Sequence, residues 1–134
     1  MNSKDYLNQA YRIDRRVSAK LEQVLSLREL ETNAAATMSR KDKANARKVR
    51  NIVAKLTKLE SEINSDIDRL VDLKHEIMTV VKCVESPKLQ TLLELRYLCF
   101  KTWEQIAEEL CYDLRWVHRL HKRALEAVDI VRRA

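Results

Sequence analysis

The stretch "IAEELCYDLRWVHRLHKRAL", residues 106–125, carries two amphipathic segments separated by Cys111-Tyr112-Asp113. Two helices that pack at a steep angle across a short turn need a small residue where they touch and apolar residues on both inner faces. Ala107 meets the first need, and Ile106, Leu110, Val117 and Leu120 meet the second. The bend usually holds glycine, yet this chain contains none and places Cys111 there. A left-handed non-glycine residue costs roughly 1–2 kcal/mol, a cost that four apolar contacts and a good cap can offset. Asp113 supplies the cap, since its carboxylate can accept from the first free N–H groups of the helix that follows. The spacing predicts that the turn forms, with the last helix running from Leu114 to about Val131.

Upstream, Thr102 and Gln105 stand three apart, the pattern of a capping box that opens a short helix over Trp103–Leu110. Ser86-Pro87 is a stop followed by a start, serine as N-cap and proline at the first helical position. Between them "KLQTLLELRYLCF" is apolar on more than one side, as expected of the buried helix of a small bundle. Residues 86–134 therefore read as a three-helix module containing a helix-turn-helix.

Residues 1–85 read as a helical arm. Tyr6, Ala10, Ile13, Val17, Leu21 and Val24 recur at steps of three and four, predicting a helix over about 4–34. Val49, Ile52, Leu56, Leu59, Ile63, Ile67, Leu70, Leu73, Ile77, Val80 and Val84 do the same over about 45–85, close to a heptad repeat. At ~1.5 Å per residue the second helix is roughly 55 Å long, too long to cover its stripe on a compact neighbour. It is expected to pair with the first helix as an antiparallel hairpin, with a second copy, or with both. Asp66 and Asp68 flank Ile67 and narrow the stripe, as in a coiled coil. The intervening Lys41, Lys43, Arg47, Lys48 and Arg50 read as a solubilising basic linker, with non-specific phosphate binding as the alternative.

Composition agrees with an all-α class: 46% apolar, 34% charged, no glycine and one proline leave nothing from which to build the frequent turns of strand-rich folds. The net charge is +6, and its placement says more than its total. Residues 41–50 balance to +4 and 114–134 to +4, whereas 51–85 and 86–113 each balance to −2. Three cysteines without a C-x-x-C pair argue against a disulfide framework. No stretch has signal-peptide or transmembrane character, so a cytoplasmic location and no membrane partner are expected.

"LLELRYLCFKTWEQIAEELCYDLRWVHRLHKRAL" resembles region four of bacterial sigma factors, in which a leucine-rich helix precedes a T/S-x-x-E/Q-I-A helix, a short turn and a recognition helix. With "DYLNQAYRIDRRVSAKLEQ" and "LVDLKHEIM" included, nearly the whole chain resembles small phage proteins grouped with the ArpU/RinA-type late transcription regulators of Gram-positive phages. Relatives usually show Gly-Tyr-Ser at the turn, where this chain has Cys111-Tyr112-Asp113. The resemblance implies a regulator in a bacterial host cell that binds double-stranded DNA.

With Val117, Leu120 and Ala124 marking the buried face, Arg115, Trp116, His118, Arg119, Lys122 and Arg123 are the candidate DNA-binding side chains. Arg115 and Arg119, one turn apart, suit bidentate contacts to guanine. Lys122 and Arg123 suit phosphates, and Thr102 and Lys101 can meet the backbone from the start of the preceding helix. A solvated charged face is the plainer alternative, which the surrounding pattern makes less favoured. Trp116 divides evenly between a DNA contact and a cover for the leucine-rich helix.

Cys111, His118 and His121 lack a fourth ligand and the paired spacing of a zinc site. No phosphate-cradling loop and no nucleophile–base pair is evident. Neither an enzyme, a metal nor a cofactor is expected. The partners expected are double-stranded DNA and further copies of the chain, as a dimer or higher homo-oligomer through the arm. RNA polymerase or another helical protein is the rival partner, and a small-terminase-like packaging DNA binder the third reading.

Overall fold

A computed structural model describes residues 1–37 and 43–134. Helix α1 covers Ser3–Thr37, α2 Lys43–Lys82, α3 Pro87–Leu93 with a π-helical continuation over Glu94–Leu98, α4 Trp103–Leu110 and α5 Leu114–Arg133. No strand occurs among the described residues, so the fold is all-α. Two compact units divide the chain: residues 1–12 with 70–134, and residues 13–69. The first unit therefore combines the module expected after residue 86 with the beginning of α1 and the end of α2.

The second unit is a pair of helix segments. Rising numbers on α1 meet falling numbers on α2, Lys20 with Glu62 and Asp66, and Arg28 with Glu60, so the segments run antiparallel. Val17, Val24, Ile52, Leu56 and Ile63 are buried. Two expected stripe positions differ. Leu21 is 47% exposed and Ile67 40% exposed, while Lys20 and Asp66 are half-buried and joined at 2.8 Å. That hydrogen bond from the Lys20 ammonium to Asp66 raises its pKa above the ordinary value. A lysine stem can lie along an apolar seam while its charge finds a partner, which is why a hydrophobic count misplaced these positions. α2 is also helical from Lys43, so Lys43, Arg47, Lys48 and Arg50 lie on its opening turns rather than in a linker. Ala44, Ala46 and the long cations favour helix, with no breaker among them. Lys41 lies outside the described residues.

In the first unit the caps are as the sequence predicts. Ser86 accepts from the Leu89 N–H with Pro87 at the first helical position. Thr102 and Gln105 form a reciprocal capping box, and the Asp113 carboxylate accepts from the Trp116 N–H at 2.8 Å. At the end of α4, Cys111 has φ 59° and ψ 38°. The Tyr112 N–H donates to the Ala107 carbonyl at 3.0 Å and the Cys111 N–H to that of Glu108 at 3.2 Å, the pair of bonds of a Schellman closure. The missing glycine is a local strain in a turn that closes with its usual hydrogen bonds.

Two features are not evident from spacing. Leu7 and Val81 are fully buried although neither belongs to the stripe read from the sequence. The leucine-rich helix widens into a π turn, where the Cys99 N–H donates to the Glu94 carbonyl at 3.0 Å and the Lys101 N–H to that of Leu95 at 3.0 Å. Phe100 then turns the chain with φ 58°. Its ring meets Tyr11 edge-on at 5.7 Å and lies under the Lys74 ammonium at 4.7 Å, contacts that help to offset the backbone cost. Around this corner Leu92, Leu93, Tyr97, Ile106, Val117, Leu120, Ala124 and Val128 form one core with Leu7, Ala10, Ile77, Val81 and Val84.

The strain at Cys111 is open to measurement. Removing the Cβ relieves roughly 1–2 kcal/mol, partly offset by the greater freedom of an unfolded glycine. Cys111→Gly is predicted to raise stability by about 0.5–1 kcal/mol in urea unfolding, and Cys111→Val to lower it by a similar amount or more. A loss of stability in Cys111→Gly would contradict the left-handed assignment.

Candidate nucleic-acid interface

Helix α5 has one buried face, built from Val117, Leu120, His121, Ala124 and Val128. At 3.6 residues per turn, the positions opposite that face are Arg115, Arg119, Lys122 and Glu126. All four are exposed. The cationic stripe thus spans the first turns of α5 and ends at Glu126. Among the described residues, no ion pair or side-chain hydrogen bond engages Arg115, Arg119, Lys122 or Arg123.

Trp116 and His118 stand on the two flanks of this stripe. Trp116 is half-buried and packs partly against the core, and the Arg123 guanidinium lies 5.5 Å from its ring. His118 is exposed, with its ring 5.3 Å from that of Trp103. Leu114, 40% exposed at the first turn, adds an apolar group that sequence reasoning had left unassigned. Thr102 is exposed at the N-cap of α4, where its oxygen already accepts from the Gln105 N–H at 3.2 Å. Lys101 is paired with Glu109, so its charge is partly compensated. The structure therefore gathers Arg115, Arg119 and Lys122 on one stripe, sets Trp116 with Arg123 beside it, and leaves Thr102 on the preceding helix.

Arg96 is the residue that sequence reasoning missed. Its guanidinium stacks 4.3 Å over Trp103 and donates to the Lys101 carbonyl at 2.9 Å. The signal was faint, an arginine among the leucines of this helix, beside Glu94 and close to the tyrosine that enters the core.

His121 belongs to the core rather than to a ligand set. It is 9% exposed, lies 4.4 Å from the Trp103 ring, and meets the Tyr97 hydroxyl at 2.5 Å through Nε2. Burial lowers its pKa to about 4, assisted by the nearby charges of Lys4 and Arg96 and by His118. Burial also raises the Tyr97 phenol to about 12. At neutral pH both groups are therefore uncharged, and a single proton is shared between the phenol oxygen and Nε2. No group of three or more His, Cys, Asp and Glu side chains among the described residues is placed to hold a metal, and no helix among them is long and apolar enough to cross a membrane.

The His121 pKa makes a prediction about acid stability. The unfolded imidazole protonates near 6.5 while the folded one resists until about 4. Between these values the unfolded chain binds the extra proton, so stability is retained above pH 6.5 and falls as the pH drops toward 4. The loss attributable to this residue is on the order of 3 kcal/mol. Urea unfolding at pH 7 and pH 4.5 is predicted to show a smaller acid loss for His121→Gln than for the wild-type chain. Equal losses would place the acid sensitivity elsewhere.

Comparison with known protein families, curated proteins and solved structures finds no match to this chain, so the reading of this face rests on its own chemistry.

Proposed function

We propose that the chain is a sequence-specific double-stranded-DNA-binding transcription regulator of phage or prophage type, acting in the bacterial cytoplasm. In this reading α4 and α5 are a helix-turn-helix like that of sigma region four, with α5 in the major groove. The observation that carries it is the stripe of Arg115, Arg119 and Lys122, exposed and without ion pairs among the described residues, on the first turns of a capped helix. Unpaired arginines one helical turn apart can each grip a guanine edge through two parallel hydrogen bonds. Trp116 with Arg123, and His118, border the same stripe and can meet sugar or phosphate. The resemblance of the sequence to ArpU/RinA-type regulators agrees with this reading.

The arm adds assembly. Leu21, Leu25, Val53 and Ile67 of the second unit are all at least 40% exposed, apolar side chains that a further protomer could cover. Association of two or more protomers through these segments would present several recognition helices together and raise affinity without new contacts. The same exposed residues favour the rival reading, a module that docks on RNA polymerase or another helical partner. A packaging-type DNA binder is a third.

Sedimentation of the purified chain, followed by selection from randomised DNA duplexes at fixed salt, separates these readings. The proposal expects a dimer or higher oligomer and an enriched motif with half-sites about 10 base pairs apart. Arg115→Ala and Arg119→Ala are expected to cost about 1–3 kcal/mol each on that motif and to relax its sequence. Recovery of no motif, with equally weak binding to all duplexes, would overturn the sequence-specific reading. A ring-sized oligomer would favour the packaging alternative.

A further inference from the structure

Beside the start of α4 lies a cavity of about 350 Å³ lined by Asn8, Tyr11, Arg12, Arg96, Phe100 and Thr102. Asn8, Tyr11 and Arg12 come from one face of α1, three and four residues apart. Arg96 comes from the π turn, while Phe100 and Thr102 flank the residue that leads into α4. The lining holds two guanidinium groups, an amide, a phenol and a hydroxyl, and no carboxylate. The Lys74 ammonium lies 4.7 Å from the Phe100 ring and is not itself part of the lining. Such a set has hydrogen-bond donors and positive charge to offer and no anion of its own.

Both arginines suit the same kind of ligand. Arg96 is held in place by its stack on Trp103 and its bond to the Lys101 carbonyl, which leaves most of its five N–H donors unused. Among the described residues Arg12 pairs only with Asp5, at 3.7 Å, with its side chain 60% exposed. Asp5 is not among the residues that line the cavity. A planar guanidinium matches the tetrahedral oxygens of a phosphate through paired hydrogen bonds. The volume accommodates a phosphate group with several waters, each needing ~30 Å³.

The cavity also adjoins the stripe on α5. Arg96 lies over one part of the Trp103 indole, and the His118 ring stands 5.3 Å from the same indole. A single side chain thus separates the cavity from the flank of the proposed DNA-reading face. We propose that this cavity is a phosphate-binding site, and that it seats a backbone phosphate of DNA while α5 occupies the groove. The second half of this statement rests on the DNA-binding reading above; the first does not. It places Asn8, Tyr11 and Arg12 of the opening turns of α1 within the DNA footprint, although none of them belongs to the helix pair that reads bases.

Two measurements on the full chain test the proposal, with Arg12→Gln and Asp5→Asn compared to wild type after circular dichroism has shown all three to be folded. Inorganic phosphate, titrated against chloride at constant ionic strength, is expected to give saturable NMR shifts at Arg12, Arg96 and Thr102. Arg12→Gln should abolish them, and Asp5→Asn, which frees Arg12, should strengthen binding. In DNA titrations at several salt concentrations, Arg12→Gln should make the slope of log K against log salt shallower by about 0.9. Its loss of affinity should be the same on every sequence. Saturable phosphate binding with an unchanged DNA slope would keep the site and overturn its DNA role, pointing to a free or small-molecule phosphate. A shallower DNA slope supports the DNA role by itself. Absence of both effects overturns the proposal. If the wild-type chain fails to bind DNA, the DNA-binding reading falls and the phosphate titration still decides the site.

Discussion

The buried face of α5 is the constraint on which the first unit depends. Val117, Leu120, Ala124 and Val128 are almost completely removed from water, and α5 packs on both α3 and α4. A helix with 3.6 residues per turn that commits these positions to a core has no freedom over where the others point. Arg115, Arg119 and Lys122 are driven outward by the same geometry that drives Val117 and Ala124 inward. The candidate interface is therefore a consequence of the core, and a shift of α5 by one residue would dismantle both together.

Three devices fix that register. At the N-terminus of α5 the Asp113 cap sets the first turn, and the left-handed Cys111 with its two closing hydrogen bonds sets the approach from α4. Within the core, the Tyr97–His121 hydrogen bond satisfies two buried polar groups at once. A buried polar pair contributes less to net stability than to uniqueness, because any slipped packing would strand both partners. At the far end of α5, Ser3 donates to Asp129 and accepts from Arg132, whose guanidinium also lies 4.5 Å from the Tyr6 ring. These contacts tie the opening of α1 to the close of α5.

Much of this was legible in the sequence because it depends on local rules. Ser86-Pro87, the Thr102–Gln105 box and the Asp113 cap involve residues within three or four positions of each other, and each appears as read. The turn at Cys111 was legible for the same reason, once the flanking apolar positions were weighed against the absent glycine. What spacing could not reveal is set by partners distant in sequence. Lys20 takes the seam position expected for Leu21 because Asp66 is opposite it. The π turn and the left-handed Phe100 depend on packing against α1, and Arg96 gains its role only through Trp103. On α5, periodicity alone marks the exposed stripe, whereas the placement of Arg123 by Trp116 and of His118 beside Trp103 depends on side-chain packing that spacing does not encode.

The central claim is that the first turns of α5 present a surface shaped to receive double-stranded DNA. Backbone amide NMR of the full chain with and without a duplex selected for binding addresses it most directly. The account predicts the largest shifts at Leu114–Arg123, with those of the second helical unit, residues 13–69, small by comparison. Shifts confined to residues 13–69, or spread evenly over all exposed cations, would contradict it.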